Sequence, residues 1–204
     1  THPAFGRKNK PFPVFMNIPN ILTTARVVLA VILFILMPWK CYGICTVLFL
    51  LAAATDFLDG WWARKFNLVS VFGRIMDPFA DKLLVCGAFV YLSAIPELTN
   101  PGPNTHGPAW LLLGPWMTVV ILGRELLITS LRAVVERQGG DFSAKWIGKW
   151  KMGLQCVAIP ACLLWLISPQ AWLFWTMLLS LWGTVLITVY SGVDYVFKAA
   201  RMLR

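Results

Sequence analysis

The sequence predicts an all-α, polytopic integral membrane protein with six transmembrane helices and both termini in the cytoplasm. Three observations predict it. Of the 204 residues, 58% are hydrophobic and 13% charged, with a mean hydropathy of +0.70, far outside the apolar share of a soluble domain. Six apolar runs approach the roughly 20 residues that a bilayer-crossing helix needs. The basic residues gather in alternate connections between those runs.

The runs are Ile21–Met37, Tyr42–Trp62, Pro78–Ile95, Ala109–Leu131, Ile147–Ile167 and Ala171–Phe197. The first follows Arg7, Lys8 and Lys10 and carries Arg26 near its start. The second ends in Asp56 and Asp59. Before the third, Asp77 followed by Pro78 reads as an N-cap with proline in the first turn. The fourth holds Arg124 inside an apolar span, the fifth begins beside Lys149 and Lys151, and the sixth leads to a tail with Lys198, Arg201 and Arg204. The segments abut too closely for a soluble domain to fit between them. Residues 1–204 therefore read as one membrane domain, with 1–20 a cytoplasmic segment lying at the interface. No initiator Met and no cleavable pattern of charged, apolar and small-residue regions is present, so the first helix is expected to be retained.

Net charge is +9. Basic residues flank the first helix's start, the second and fourth connections and the tail, and only Lys40 falls on the other side. The positive-inside rule then places both termini and those two connections in the cytoplasm. Attraction to anionic lipid accounts for most of this rim, and no nucleic acid is expected as a partner. Five cysteines, odd in number and without CxxC spacing, read as packing thiols. His2 and His106 stand alone in loops, which argues against a His-based zinc site or a His-centred triad.

The acids are less easily explained. Four of the nine, Asp56, Asp59, Asp77 and Asp81, fall between residues 55 and 82. Asp56 and Asp59 are i, i+3 and share a helix face, yet they lie at a carboxyl end, where the helix dipole is already negative and two like charges repel. Asp77 and Asp81 are i, i+4 at the entry to the next helix, and a hairpin returns both pairs to one depth. Four converging carboxylates call for hard divalent cations, Mg²⁺ or Mn²⁺, and two-metal sites serve in-line displacement at phosphorus. Gly60 and Ala63 clear one side of the helix end, and Gly73 relaxes the turn that aims the second pair. Together these residues complete D-x2-D-G-x2-A-R-x8-G-x3-D-x3-D, with Arg64 as its basic position.

This pattern resembles the CDP-alcohol phosphotransferase family, integral membrane enzymes that move a phosphoalcohol group from a CDP-alcohol to a second alcohol and release CMP. The segments "NIPNILTTARVVLA" (17–30), "GRELLITSLR" (123–132) and "WIGKWKMGLQ" (146–155) are similar to the subgroup that makes phosphatidylglycerophosphate from CDP-diacylglycerol and sn-glycerol 3-phosphate. The resemblance implies that Asp56, Asp59 and Asp77 hold one Mg²⁺ or Mn²⁺ ion and share a second with Asp81. It also implies that Asp81 is the catalytic base and that Gly60, Ala63, Arg64 and Gly73 accommodate CDP-diacylglycerol. A homodimer in a bacterial inner membrane, with the active site facing the cytoplasm, is the implied setting. Other members, such as cardiolipin synthases of the eukaryotic type and phosphatidylserine or inositol-phosphate synthases, take other acceptors.

A charge inside an apolar span marks a functional site by default. For Arg124 the competing explanation is an ion pair, either with a motif acid or with Glu125, which is adjacent in sequence but points elsewhere on a helix. Arg124 and Arg132, eight residues apart, lie on one broad face and could flank a cavity for glycerol 3-phosphate. Lys149 and Lys151, i, i+2, do not share a face, so one would bind acceptor phosphate while the other touches lipid headgroups. Arg26 is a further candidate, with snorkelling to the interface as its simpler explanation. A polytopic metal transporter is the rival from another class. Such sites lie near the bilayer midplane, whereas these acids fall at the cytoplasmic edge.

Overall fold

The computed structural model describes residues 18–66, 71–100, 112–137 and 146–202. Among them every regular element is a helix, and no strand is present. The helices are α1 (Ile18–Leu36), α2 (Tyr42–Phe66), α3 (Val71–Ser93), the single turn α4 (Pro96–Thr99), α5 (Pro115–Arg137), α6 (Trp146–Ile167) and α7 (Ala171–Met202). Six are long, as the apolar runs predict, and α4 was not expected.

Proline sets several boundaries. After α1 a 3-10 turn, Met37–Trp39, contains Pro38, whose ring leaves no N–H to continue an α-helix. Lys40 then turns left-handed at φ 58° and closes on the carbonyl of Met37. Pro115 opens α5, where its missing donor matters least. The expected start of the fourth span at Ala109 lies outside the described residues. Pro78 behaves differently. The helix it was expected to open already runs from Val71, so Pro78 is inside α3 and Asp77 is not an N-cap. The ring removes one hydrogen bond, and the flanking helical turns continue across it.

Among the described residues, three helices are long and apolar enough to cross a membrane on those grounds alone: Ile21–Trp39, Trp150–Ile167 and Ala171–Ala200. The other long helices, α2, α3 and α5, carry Asp56, Asp59, Asp77, Asp81, Arg124 and Glu125, and these charges lower their apolarity. The outward faces are nevertheless greasy, with Val47, Val119, Leu179 and Leu186 all exposed, as a lipid-facing surface requires.

The principal helix pairings close a ring. α1 packs on α2, α2 on α6, α6 on α7, α7 on α5, α5 on α3, and α3 back on α1. A continuous apolar core that includes Leu33, Phe49, Phe89, Met117, Ile159 and Leu181 fills it. Phe34 of α1 stacks on Tyr91 of α3, centroids 5.5 Å apart, and Gly87 leaves the space that the Phe34 ring occupies. A second, smaller cluster of Ile128, Val135, Tyr195 and Ala199 joins α5 to α7. Along α1 and into the 3-10 turn after it the buried positions are Thr23, Arg26, Ala30, Leu33 and Met37, a 3-4-3-4 helical stripe whose first two members are polar.

Candidate active site

Those two polar residues touch the acids. Arg26 is fully buried and its Nη1 stands 2.7 Å from Oδ1 of Asp56 on α2. One turn earlier, the Thr23 hydroxyl donates to Oδ1 of Asp77 on α3. Arg26 therefore does not snorkel. It lies on the inward stripe of α1, where a cation is retained only by meeting an opposite charge.

Asp81, one turn into α3 from Asp77 and half-buried, lies in the fields of Asp56, Lys151, Arg26 and Glu125. Two of these groups, Lys151 and Glu125, belong to a second cluster of charges. In it, Glu125 Oε1 accepts from Arg124 Nη1 at 3.1 Å and also from Lys151 Nζ of α6. Arg124 Nε donates to Ser191 Oγ of α7 at 3.2 Å, and its guanidinium lies over the Tyr195 ring, 5.7 Å from the centroid. The expectation that Glu125 points away from Arg124 is thus corrected. Neighbouring residues do not share a helix face, but two long side chains converge when a third group, here Lys151, draws the carboxylate inward.

All six long helices contribute to this end: α1 and α3 near their starts, α2 toward its close, α5 with Arg124 and Glu125, α6 with Lys151 and α7 with Ser191. Convergence was expected of Asp56, Asp59, Asp77 and Asp81, and the side chain of Asp59 lies outside the described residues. Asp56 and Asp81 sense each other, and Asp56 and Asp77 are both tied to α1. Among the described residues, no three His, Cys, Asp or Glu side chains gather tightly enough to hold one ion. The donor set still suits a hard divalent cation, because every candidate ligand is a carboxylate oxygen. Asp59, Gly60, Ala63 and Arg64 have their backbones on α2, Gly73 on α3 and Lys149 on α6, and their side chains lie outside the described residues.

Arg132 is not drawn into the Glu125 cluster. Its Nε is buried without a hydrogen-bond partner. Between α5 and α7 a groove of about 360 Å³ runs past Arg124 along Leu127, Val189, Val193 and Phe197, and this lining suits hydrocarbon better than phosphate. Thr23, Ser191 and Tyr195 were missed by sequence reasoning. A signal for the hydroxyls exists: Ser180, Thr184, Thr188 and Ser191 recur at helical spacing and are all buried, marking an inward polar face of α7.

Comparison with known proteins shows the family. The family model described as CDP-alcohol phosphatidyltransferase matches residues 16–189. The CDP-diacylglycerol–glycerol-3-phosphate 3-phosphatidyltransferase of Bacillus subtilis (strain 168) is 34% identical over 197 residues, covering 89% of this chain and 94% of that protein. Its namesake in Escherichia coli (strain K12) is 31% identical over 189 residues, covering 90% and 94%. That of Blochmanniella floridana is 31% identical over 199 residues, covering 95% and 96%. The matched region includes every acid of the motif and the basic residues facing them, and the chain belongs to the CDP-alcohol phosphatidyltransferase family.

Proposed function

We propose that this chain transfers the phosphatidyl group of CDP-diacylglycerol to sn-glycerol 3-phosphate, giving phosphatidylglycerophosphate and CMP. What supports the reading is a pair of charge groups, the acids Asp56 and Asp77 tied to α1 and the cations Arg124 and Lys151 gathered on Glu125, with Asp81 electrostatically coupled to members of both. A carboxylate coupled to both can serve a hydroxyl whose own phosphate is gripped on the basic side. The relatives that match over nearly their full length carry this activity in their names.

In this reading Asp56, Asp59, Asp77 and Asp81 are the oxygen ligands of two Mg²⁺ or Mn²⁺ ions. Such ions, when bound, neutralise the pyrophosphate and stabilise the departing CMP. Asp81 takes the proton from the free hydroxyl of glycerol 3-phosphate as that oxygen bonds to the phosphorus bearing diacylglycerol and the bond to CMP breaks. Arg124, Arg132, Lys149 and Lys151 hold the acceptor's phosphate. Gly60, Ala63, Arg64 and Gly73 make room for the cytidine diphosphate. The six long helices cross a bacterial inner membrane with both termini and this end of the ring in the cytoplasm, and the protein works as a homodimer. The lipid tails then remain in the bilayer while the water-soluble acceptor enters from the cytoplasm.

The test is CMP release from CDP-diacylglycerol by purified protein in detergent. Release that needs both glycerol 3-phosphate and a divalent metal is expected. Faster release with serine or phosphatidylglycerol would overturn the acceptor, and metal flux into liposomes without CMP formation would overturn the enzyme.

A further inference from the structure

We propose that α1, which holds none of the motif acids, positions the acids of the other two helices: Thr23 aims Asp77 and Arg26 aims Asp56. The inference rests on reading those acids as metal ligands. Thr23 and Arg26 are i, i+3, on one face of α1, and both are fully buried. Each engages Oδ1 of an aspartate on a different neighbouring helix, and α1 packs on both of those helices. Arg26 also acts electrostatically on Asp81 of α3.

Packing alone does not require such contacts. Three other helical threonines bond within their own helix, Thr46 on the carbonyl of Tyr42, Thr129 on Glu125 and Thr176 on Trp172, and Thr118 of α5 crosses only to a backbone carbonyl, that of Phe89. The Thr23 hydroxyl reaches a carboxylate 54 residues away. An aspartate turns readily about its last torsion. A donor fixed on Oδ1 sets the plane of the carboxylate and leaves Oδ2 for a cation. Without that donor, a metal must itself order both the side chain and the spacing between two helices. Outer contacts of this kind typically change metal affinity by about 10- to 100-fold. Arg26 further offsets the repulsion among acids crowded at one depth, keeping Asp56 near its neighbours before any cation arrives.

The experiment is a Mn²⁺ titration of the full chain in detergent, with free Mn²⁺ followed by electron paramagnetic resonance. It uses the wild type, Thr23→Val, Thr23→Ser and Arg26→Lys. Thr23→Val keeps the side chain's shape and loses its hydroxyl, and its Mn²⁺ Kd should rise about 10-fold, while Thr23→Ser restores it to within about twofold of wild type. Arg26→Lys keeps the charge but not the planar fork, and should also weaken Mn²⁺ by about 10-fold. If Thr23→Val does not fold, Arg26→Lys decides. Mn²⁺ uptake by the wild type that Thr23→Val and Arg26→Lys both reproduce overturns this inference and leaves the metal reading standing. No uptake by the wild type overturns both.

Discussion

Lys151 and Glu125 form a buried ion pair that ties α6 to α5, with Lys151 Nζ on the same Oε1 that accepts from Arg124. Both side chains are about nine-tenths enclosed, at 8% and 12% exposure. Removing the carboxylate strands two cations in a region shielded from water. Glu125→Gln should therefore lower stability in detergent by about 3–5 kcal/mol, the range for breaking a buried pair. Thermal unfolding checks this, and Glu125→Leu combined with Lys151→Met should recover much of the loss.

Asp81→Asn should reduce turnover by about 10²-fold or more, the scale of losing a general base, while the KM for CDP-diacylglycerol changes little. Steady-state CMP release gives both quantities. Near-normal turnover would exclude Asp81 as the base.

Asp56→Asn and Asp59→Asn should each weaken Mn²⁺ binding, because each removes a charged ligand from the set. Asp56→Asn should in addition lower the melting temperature, since it leaves the buried Arg26 guanidinium facing a neutral amide. Metal titrations indistinguishable from wild type would remove these two residues from the ligand set.

Arg124→Ala, Arg132→Ala and Lys149→Ala should raise the KM for glycerol 3-phosphate far more than that for CDP-diacylglycerol. A lost charge-assisted contact of about 1.5–3 kcal/mol corresponds to roughly 10- to 150-fold. Arg132→Lys should already be harmful, because an ammonium cannot reproduce a bidentate fork on phosphate. Equal effects on both substrates would move these residues out of the acceptor pocket.

Gly87→Ala tests the α1–α3 seam. A Cβ at that position would overlap the Phe34 ring, which is stacked on Tyr91, so the ring must leave its place. Overpacking of this kind typically destabilises by about 1–3 kcal/mol, and thermal unfolding should register it. No change would mean that the ring rearranges freely.

Much of this architecture is legible in the chain because apolar runs and turn residues are local signals. The span expected over Ile147–Ile167 is α6 within one residue, and the one over Tyr42–Trp62 is α2 with one further turn. The i, i+3 and i, i+4 spacings on either side of a short connection suggest that the acids meet, and of them Asp56 and Asp77 are both tied to one face of α1. Pro78 misled, since an Asp-Pro pair marks a cap only when the preceding residues cannot form helix, and Val71–Met76 do form it. Arg26 misled in another way: whether a cation near a helix start snorkels or turns inward depends on which face meets Asp56, a residue 30 positions later. The convergence of Arg124, Glu125 and Lys151 depends likewise on contact across the bundle, to which spacing within one segment is blind.

The order of helices around the ring has a consequence for biogenesis. As the chain is synthesised, α1, α2, α3 and α5 can assemble only into an open arc, with α2 and α5 at its two free edges. The hairpin of α6 and α7 closes it, α6 lying against α2 and α7 against α5. That same hairpin delivers Lys151 to Glu125 and Ser191 to Arg124. A nascent chain that has not yet released α6 and α7 therefore has the acids tied to α1 but lacks the partners that Lys151 and Ser191 bring to Glu125 and Arg124.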